Sequence, residues 1–116
     1  MKIHARSMLV LVLLGIAALM LGCKADTTPI KTLLDDPSRF DRQTVRIAGE
    51  VKEAAGAMGY GAYRVDDGTG SILVVAKASG APRTGAQVGV EGKFRSAFTL
   101  GSESAAVVME DKRYTP

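Results

Sequence analysis

An alternation of apolar and polar side chains is the feature that most limits how this chain can fold. Between residues 43 and 52 every second residue is apolar or glycine, and the same period returns between residues 86 and 96. A period of two sends successive side chains to opposite faces of an extended strand. Both segments are therefore predicted to be β-strands with one buried and one solvated face.

Three further segments have the composition of strands. They are Tyr60–Asp66, Ser71–Lys77 and residues 104–110. The last two are apolar on both faces, and such strands need cover on the second face, from a helix or from a partner. The residues 66–70, DDGTG, form a tight turn between the second and third strands, because their glycines accept positive φ.

A short helix is predicted ahead of the first strand, over Ile30–Asp35. Thr28 is placed to cap it, and Pro29 suits its first position. Pro37 ends the helix, because the residue before a proline is pushed out of the helical region. Five short strands with glycines inside the first and fourth favour a small curved barrel.

Three runs carry a resemblance to a known fold family. They are residues 36–51 (DPSRFDRQTVRIAGEV), 63–72 (YRVDDGTGSI) and 85–93 (GAQVGVEGK). These runs resemble bacterial oligonucleotide/oligosaccharide-binding (OB) domains related to the tRNA-anticodon-binding group. The resemblance implies an all-β, five-stranded OB-fold barrel over residues 30–116, with the short helix closing one end. It fixes the fold far better than the ligand, because OB domains bind many kinds of partner.

The first 22 residues have the order of a secretory signal peptide. Lys2 and Arg6 precede an uncharged run that is shorter than the ~20 residues of a membrane-spanning helix. The run ends in LMLGC, with a small residue directly before Cys23, the only cysteine. This ending resembles the lipobox of bacterial lipoproteins, which implies cleavage before Cys23 and lipid on its sulfur. A short transmembrane anchor is the alternative.

A lipidated Cys23 would hold the protein on a membrane through its acyl chains. Residues 23–29 then form a lipidated cysteine and a tether, which keeps the domain near the membrane. Lys24 follows the cysteine in place of the aspartate that signals against outer-membrane sorting in many Gram-negative bacteria. The expected location is the cell envelope, on the periplasmic side of the outer membrane.

Removing residues 1–22 changes what chemistry the chain can perform. His4 is the only histidine, and Cys23 the only thiol, so the processed domain lacks both groups. Ser-His and Cys-His nucleophilic arrangements and the usual zinc sites cannot be built without them. The turn at 66–70 offers two carboxylates and a hydroxyl, too few for calcium. We therefore expect no enzyme activity, no catalytic residue, no metal and no cofactor.

Nucleic acid is a possible but disfavoured partner. Tyr60, Tyr63 and Arg64 lie on the second strand, where single-strand binders place aromatic platforms. The third strand offers no aromatic residue, and loss of Lys2 and Arg6 leaves 13 basic against 12 acidic residues, a net charge of +1. This is a poor electrostatic footprint for a nucleic-acid binder. For Tyr63, a place in the core of the barrel is the favoured interpretation.

Two segments, of which only the first is free of charged residues, are predicted to be rim loops that present apolar side chains. Residues 54–61 contain Met58 and Tyr60, and residues 97–104 contain Phe98 and Leu100. Exposed apolar groups of this kind suit a protein, a peptide or a glycan, although they could also fold back over the barrel mouth. The sequence thus predicts an envelope lipoprotein with a binding module, with a structural accessory subunit of an envelope complex as a further alternative.

Overall fold

Five strands and two short helices form the domain in the computed structural model, which describes residues 26–57, 60–77 and 80–116. The predicted signal peptide, Cys23 and Met58 lie outside these residues. The elements are α1 (Ile30–Asp35), α2 (Pro37–Phe40), β1 (Thr44–Ala57), β2 (Tyr60–Asp66), β3 (Ser71–Lys77), β4 (Gln87–Leu100) and β5 (Glu103–Tyr114). Across the ranges described, no helix is long and apolar enough to span a bilayer.

The strands close into one barrel in the order β1-β2-β3-β5-β4. β1 pairs antiparallel with both β2 and β4, and β4 pairs antiparallel with β5. A parallel pairing of β3 with β5, with Val74 opposite Val108, joins the two ends of the sheet. The predicted five-stranded barrel with a short N-terminal helix is confirmed.

The strands β1, β4 and β5 are longer than the sequence predicts. β1 continues to Ala57 and β4 to Leu100, so the segments predicted as rim loops are paired arms of hairpins. Alanine and glycine dominate the β1 arm and give no apolar alternation, yet their backbone groups pair with β2 as well as those of any other residue. The loop prediction for residues 54–61 and 97–104 is corrected accordingly.

Alternating side chains from all five strands fill the barrel. α1 closes one end by burying Ile30 and Leu33 in the same cluster. The largest fully buried side chains of the strands are Tyr63 and Phe94. The buried strand residues of this cluster are Val45, Ile47, Val51, Tyr63, Val65, Ile72, Val74, Ala76, Val88, Val90, Phe94 and Val108.

The sequence predicts that Thr28 caps α1. In the structure a distant turn caps this helix instead. The carboxylate of Asp67 accepts a hydrogen bond from Ile30 N–H at 2.9 Å, and the Thr69 hydroxyl accepts one from Lys31 N–H at 3.2 Å. Thr28 instead donates its backbone N–H to the Arg46 carbonyl at 2.8 Å. The first free N–H groups of α1 are thus satisfied by the β2–β3 turn.

The same carboxylate also builds the turn. Asp67 Oδ1 accepts the backbone N–H of Thr69 at 2.9 Å and that of Gly70 at 3.2 Å. Partial burial by itself would raise the pKa of the Asp67 carboxyl, but the hydrogen bonds from Thr69, Ile30 and Gly70 outweigh it and lower the pKa. One ionised side chain therefore joins the turn to the helix.

Replacing this carboxylate tests the connection. Because folding lowers its pKa, ionised Asp67 stabilises the fold at pH values above the unfolded pKa of about 3.9, and the contribution disappears as the pH falls through the folded pKa. We expect Asp67→Asn to cost about 1 kcal/mol at neutral pH, since solvent screens a partly exposed carboxylate. Urea unfolding should show this difference shrinking in acid. Asp35→Asn, which breaks an exposed ion pair with Lys31, is the control, and an equal effect of both changes would contradict the capping role.

The close packing of Tyr114, at the end of β5, against β4 requires a glycine at position 89. The Tyr114 ring lies against Gly89, where an added Cβ would overlap ring atoms. The Tyr114 hydroxyl donates to the Ile47 carbonyl at 3.1 Å, and the Arg46 guanidinium lies 4.2 Å from the ring centroid. Tyr114 therefore crosses β4 and contacts β1, which holds the end of β5 in place.

Gly89→Ala should destabilise the domain by about 1–3 kcal/mol because of this overlap. In a Tyr114→Ala background the same substitution should cost much less, since the ring that it meets is gone. Chemical denaturation of the four proteins in this double-mutant cycle measures the coupling. Strictly additive costs would show that the ring does not restrict position 89.

Candidate binding surface

The candidate residues of the second strand lie on different faces of the barrel. Tyr63 points inward and is 1% exposed, so its ring cannot contact a partner on the outer face. Arg64 lies on the outer face of β2, opposite Glu53 of β1 and Leu73 of β3 in the strand register. Tyr60 is the first residue of β2 and pairs with Lys77. We therefore remove Tyr63 from the candidate surface and keep Arg64.

Tyr63 instead belongs to a buried polar cluster that the sequence analysis missed. Its hydroxyl donates to the Glu110 carboxylate, whose side chain is 4% exposed and which also accepts from Arg113 Nε. Arg113 donates in turn to the Gly80 carbonyl after β3. Burial, and then the adjoining Glu110 carboxylate, raise the pKa of the Tyr63 phenol well above its ordinary value. The cluster ties β2, β5 and the β3–β4 connection together.

A shallow depression lies on the outer face next to Arg64. It measures about 240 Å³, and we call it the β1–β3 depression. Its lining residues are Glu53, Ala54, Ala55, Ala62, Tyr63, Arg64 and Leu73. Alanines and a leucine supply an apolar floor, while Glu53 and Arg64 supply one charge of each sign. Such a mixture on rigid strands can recognise a ligand by shape and by a few polar contacts.

The two hairpin arms do not share a rim. Glu50 pairs with Gln87 at one end of the β1–β4 ladder, and Thr44 pairs with Lys93 at the other. β1 leaves this ladder beyond Glu50 towards Tyr60, whereas β4 leaves it beyond Lys93 towards Phe98 and Leu100. The expectation that both segments lie at one rim is therefore corrected: antiparallel neighbours carry their hairpins in opposite directions.

Phe98 lies on the outer side of the β4–β5 arm. It pairs with Ala105, two residues before Val107 on β5, so it shares a face with Val107 and not with the core residue Val108. Phe98 is only half-exposed. Leu100 is the last residue of β4 and pairs with Glu103. Phe98 remains a candidate on a surface separate from the β1–β3 depression, and Leu100 remains a prediction.

Cations line a second outer depression, next to the β4–β5 ladder. It measures about 360 Å³ and is lined by Arg42, Lys93 and Arg95. Asp41 lies beside it, and its Oδ1 accepts the Ser96 backbone N–H at 2.8 Å. This hydrogen bond, assisted by Arg42 and Arg95, lowers the pKa of the Asp41 carboxyl although burial opposes it. Lys93 and Arg95 are two residues apart on β4, but Arg42 is distant from them in the sequence and is brought beside them only by the fold.

The turn at 66–70 uses its carboxylates internally. Asp66 accepts the Gly68 N–H at 2.8 Å, and Asp67 accepts from the turn and from α1. Over the part of the chain that the structure describes, no group of three or more acidic, histidine or cysteine side chains could hold a metal ion. The expected hairpin turn, with aspartates bonding to their own backbone, is confirmed.

Known structures with similar folds were found, but no protein-family model and no curated protein sequence matches the chain. An OBody bound to hen egg-white lysozyme has a TM-score of 0.53 and 12% identity, over 66% of this chain and 83% of the OBody. Asparaginyl-tRNA synthetase from Pyrococcus horikoshii has a TM-score of 0.55 and 20% identity, over 66% of this chain. A putative aspartyl-tRNA synthetase from Leishmania major Friedlin has a TM-score of 0.62 and 20% identity, over 79% of this chain.

These similarities define the fold of the domain. The matched regions are 20% of the first synthetase and 21% of the second, so the chain spans about a fifth of their length. Together with the strand order, they show that this chain carries an OB-fold domain.

Removing the acid of the buried cluster should destabilise the barrel. Glu110→Ala leaves the Tyr63 hydroxyl and Arg113 without their shared acceptor, and we expect a loss of roughly 2–3 kcal/mol in the free energy of unfolding. Tyr63→Phe, which removes one hydrogen bond and leaves the Glu110–Arg113 pair, should cost about 1 kcal/mol. Urea denaturation measures both, and a Glu110→Ala protein as stable as the original would contradict the role given to the cluster.

Proposed function

We propose that this chain is a bacterial cell-envelope lipoprotein, tethered through Cys23, whose OB-fold domain is a non-catalytic binding module for a protein, a peptide or a glycan. The tether would hold the module on the periplasmic side of the envelope, in the outer membrane. The β1–β3 depression is the proposed binding site.

The contacts of the first residues that the structure describes support the tether. Asp26, three residues after Cys23, forms an ion pair with Arg46 of β1 at 3.7 Å, and Thr28 is hydrogen-bonded to the same residue. Three residues span at most roughly 10 Å. A lipid on Cys23 would therefore hold the barrel directly at the membrane surface.

The β1–β3 depression is the observation that carries the binding proposal. Its apolar floor is formed by short side chains on paired strands, and Arg64 stands between Glu53 and Leu73. Rigid strands preorganise a surface, which limits the entropy lost on binding. An OBody with the same fold binds lysozyme, so this architecture can present a protein-binding surface. The processed sequence also lacks the histidine and the free thiol on which nucleophilic catalysis commonly relies.

The positions of the aromatic rings favour a protein, peptide or glycan over a single-stranded nucleic acid. Tyr63 lies inside the barrel, and β3 carries no aromatic residue. A stacking platform across β2 and β3, on which such ligands depend, would have to be built from Tyr60 alone.

Photo-crosslinking at the β1–β3 depression tests the proposal in the full chain. A photo-reactive phenylalanine analogue at Ala62 should give a discrete adduct in the native envelope, whereas the same analogue at the exposed Arg83 should not. Mass spectrometry of the adduct identifies its class. Leu73→Asp should lower the yield by roughly tenfold or more, because a central apolar contact is lost.

Leu34→Asp is the matched control, since Leu34 is 40% exposed on α1, away from the depression. Identical adducts from Ala62 and Arg83, or equal yields from the two aspartate variants, would contradict a binding site at this position. Oligonucleotide binding that falls steeply with salt and with Arg64→Ala would support the nucleic-acid alternative instead.

A further inference from the structure

The outer face of β4 and β5 carries cations that few groups of the protein neutralise. Arg42 has 82% of its side chain exposed and lies 3.9 Å from Asp41. Within the described ranges, neither Lys93 nor Arg95 forms an ion pair, although Asp41 is close enough to Arg95 to be influenced by its charge. Glu91, two residues before Lys93 on β4, already pairs with Arg46 and Lys112. The depression therefore keeps an excess of positive charge.

Apolar side chains adjoin these cations. Met109 pairs with Lys93 and is half-buried, whereas Val107, which pairs with Arg95, is fully buried. Val75 of β3, which pairs with Met109 in the parallel register, is the next half-buried apolar residue on this side. β3 and β5 are thus apolar on both faces, as the sequence predicts, and α1 covers the end of the barrel and not this side. We call Arg42, Lys93, Arg95 and Met109 the cationic face.

The proposed tether emerges beside the cationic face. Asp26 contacts Arg46, which pairs with Glu91 of β4, and Thr44, two residues from Arg46, pairs with Lys93. Arg46 and Thr44 lie on the same face of β1, because they are two residues apart. Cys23 is within roughly 10 Å of Asp26 along the chain. A membrane that held Cys23 would lie within reach of Lys93 and its neighbours.

We propose that the cationic face docks on the anionic phospholipid surface to which Cys23 anchors the chain. This inference rests on the proposed lipid anchor. Lys and Arg side chains near a membrane are attracted by anionic headgroups, and adjacent apolar groups insert at the interface. Because β2 is a neighbour of neither β4 nor β5 in the barrel, this orientation leaves the outer face of β2 with Arg64 free for a partner.

Depth-dependent fluorescence quenching in reconstituted vesicles tests the orientation. The full lipidated chain carries a fluorophore either at Thr44→Cys, on the cationic face, or at Ala55→Cys, on the β1–β2 arm; both positions are exposed. Vesicles contain phosphatidylcholine with or without phosphatidylglycerol, and a nitroxide-labelled lipid is the quencher. We expect quenching at Thr44 only, and only with phosphatidylglycerol present.

Charge reversal gives the second arm of the experiment. Lys93→Glu and Arg95→Glu should each reduce the ratio of docked to undocked protein by roughly fivefold or more. Arg83→Glu makes the same change of charge on an exposed residue of the β3–β4 connection and should leave the ratio unchanged. Rising ionic strength should weaken the quenching at Thr44, because salt screens the headgroup charges.

Several outcomes would overturn docking while leaving the anchor intact. They are equal quenching at Thr44 and Ala55, quenching independent of phosphatidylglycerol, or equal effects of Arg95→Glu and Arg83→Glu. A Thr44 fluorophore that responds to inorganic phosphate, and not to anionic vesicles, would assign the face to a soluble phosphate compound. If the full chain fails to carry lipid at Cys23, the anchor itself is refuted, so the two failures are distinguishable.

Discussion

Closure of the sheet by the parallel pair of β3 and β5 is the constraint on which the rest of the structure depends. With this pair in place every strand has two neighbours, and each strand has one face inside the barrel and one outside. Val74 and Val108 face inward at the junction, while Val75 and Met109 remain half-buried on the outer side. The same pairing thus completes the core and creates an apolar outer strip next to the cations of β4.

The two ends of β3 are secured by different chemistry. At its start, the ionised Asp67 carboxylate joins the β2–β3 turn to α1, which inserts Ile30 and Leu33 into the core. Beyond its end, Arg113 bonds the Gly80 carbonyl and shares the Glu110 carboxylate with Tyr63. In both arrangements the carboxylate, Asp67 or Glu110, is hydrogen-bonded within the barrel. Neither carboxylate is therefore free for catalysis or metal binding.

The sequence predicts what depends on local patterning. β2 and β3 have the predicted bounds, and α1 covers the predicted residues, because apolar alternation, a glycine turn and a proline stop are local signals. The sequence predicts the ends of β1 and β4 as loops. In β1, for example, Ala54, Ala55 and Gly56 pair with β2 through backbone groups, and no alternation of side chains indicates this pairing. The capping of α1 by Asp67 joins residues 37 positions apart, and a distant partner competes with Thr28 without any local sign.

In the candidate site, too, local features could be predicted from the sequence and long-range contacts could not. Arg64 was identified because it lies on β2, but its neighbours Glu53 and Leu73 are set by register across two ladders. Glu110 and Arg113 have no motif, and an acid that ends an apolar run resembles an ordinary solvated residue. The union of Arg42, Lys93 and Arg95 depends on the path of the chain before β1. Strand pairing between distant parts of the chain determines which of these residues lie together, and this pairing cannot be inferred from a single sequence.

The proposed membrane-tethered barrel, with one face towards lipid and another towards a partner, would explain the N-terminal sequence together with the charges and apolar residues on the outside of the domain. The whole arrangement rests on Cys23. Mass spectrometry of the processed N-terminus in the native membrane is the most direct measurement. We predict a chain that begins at Cys23 with acyl groups on that residue, and a chain that begins elsewhere or carries an unmodified Cys23 thiol would contradict the tether.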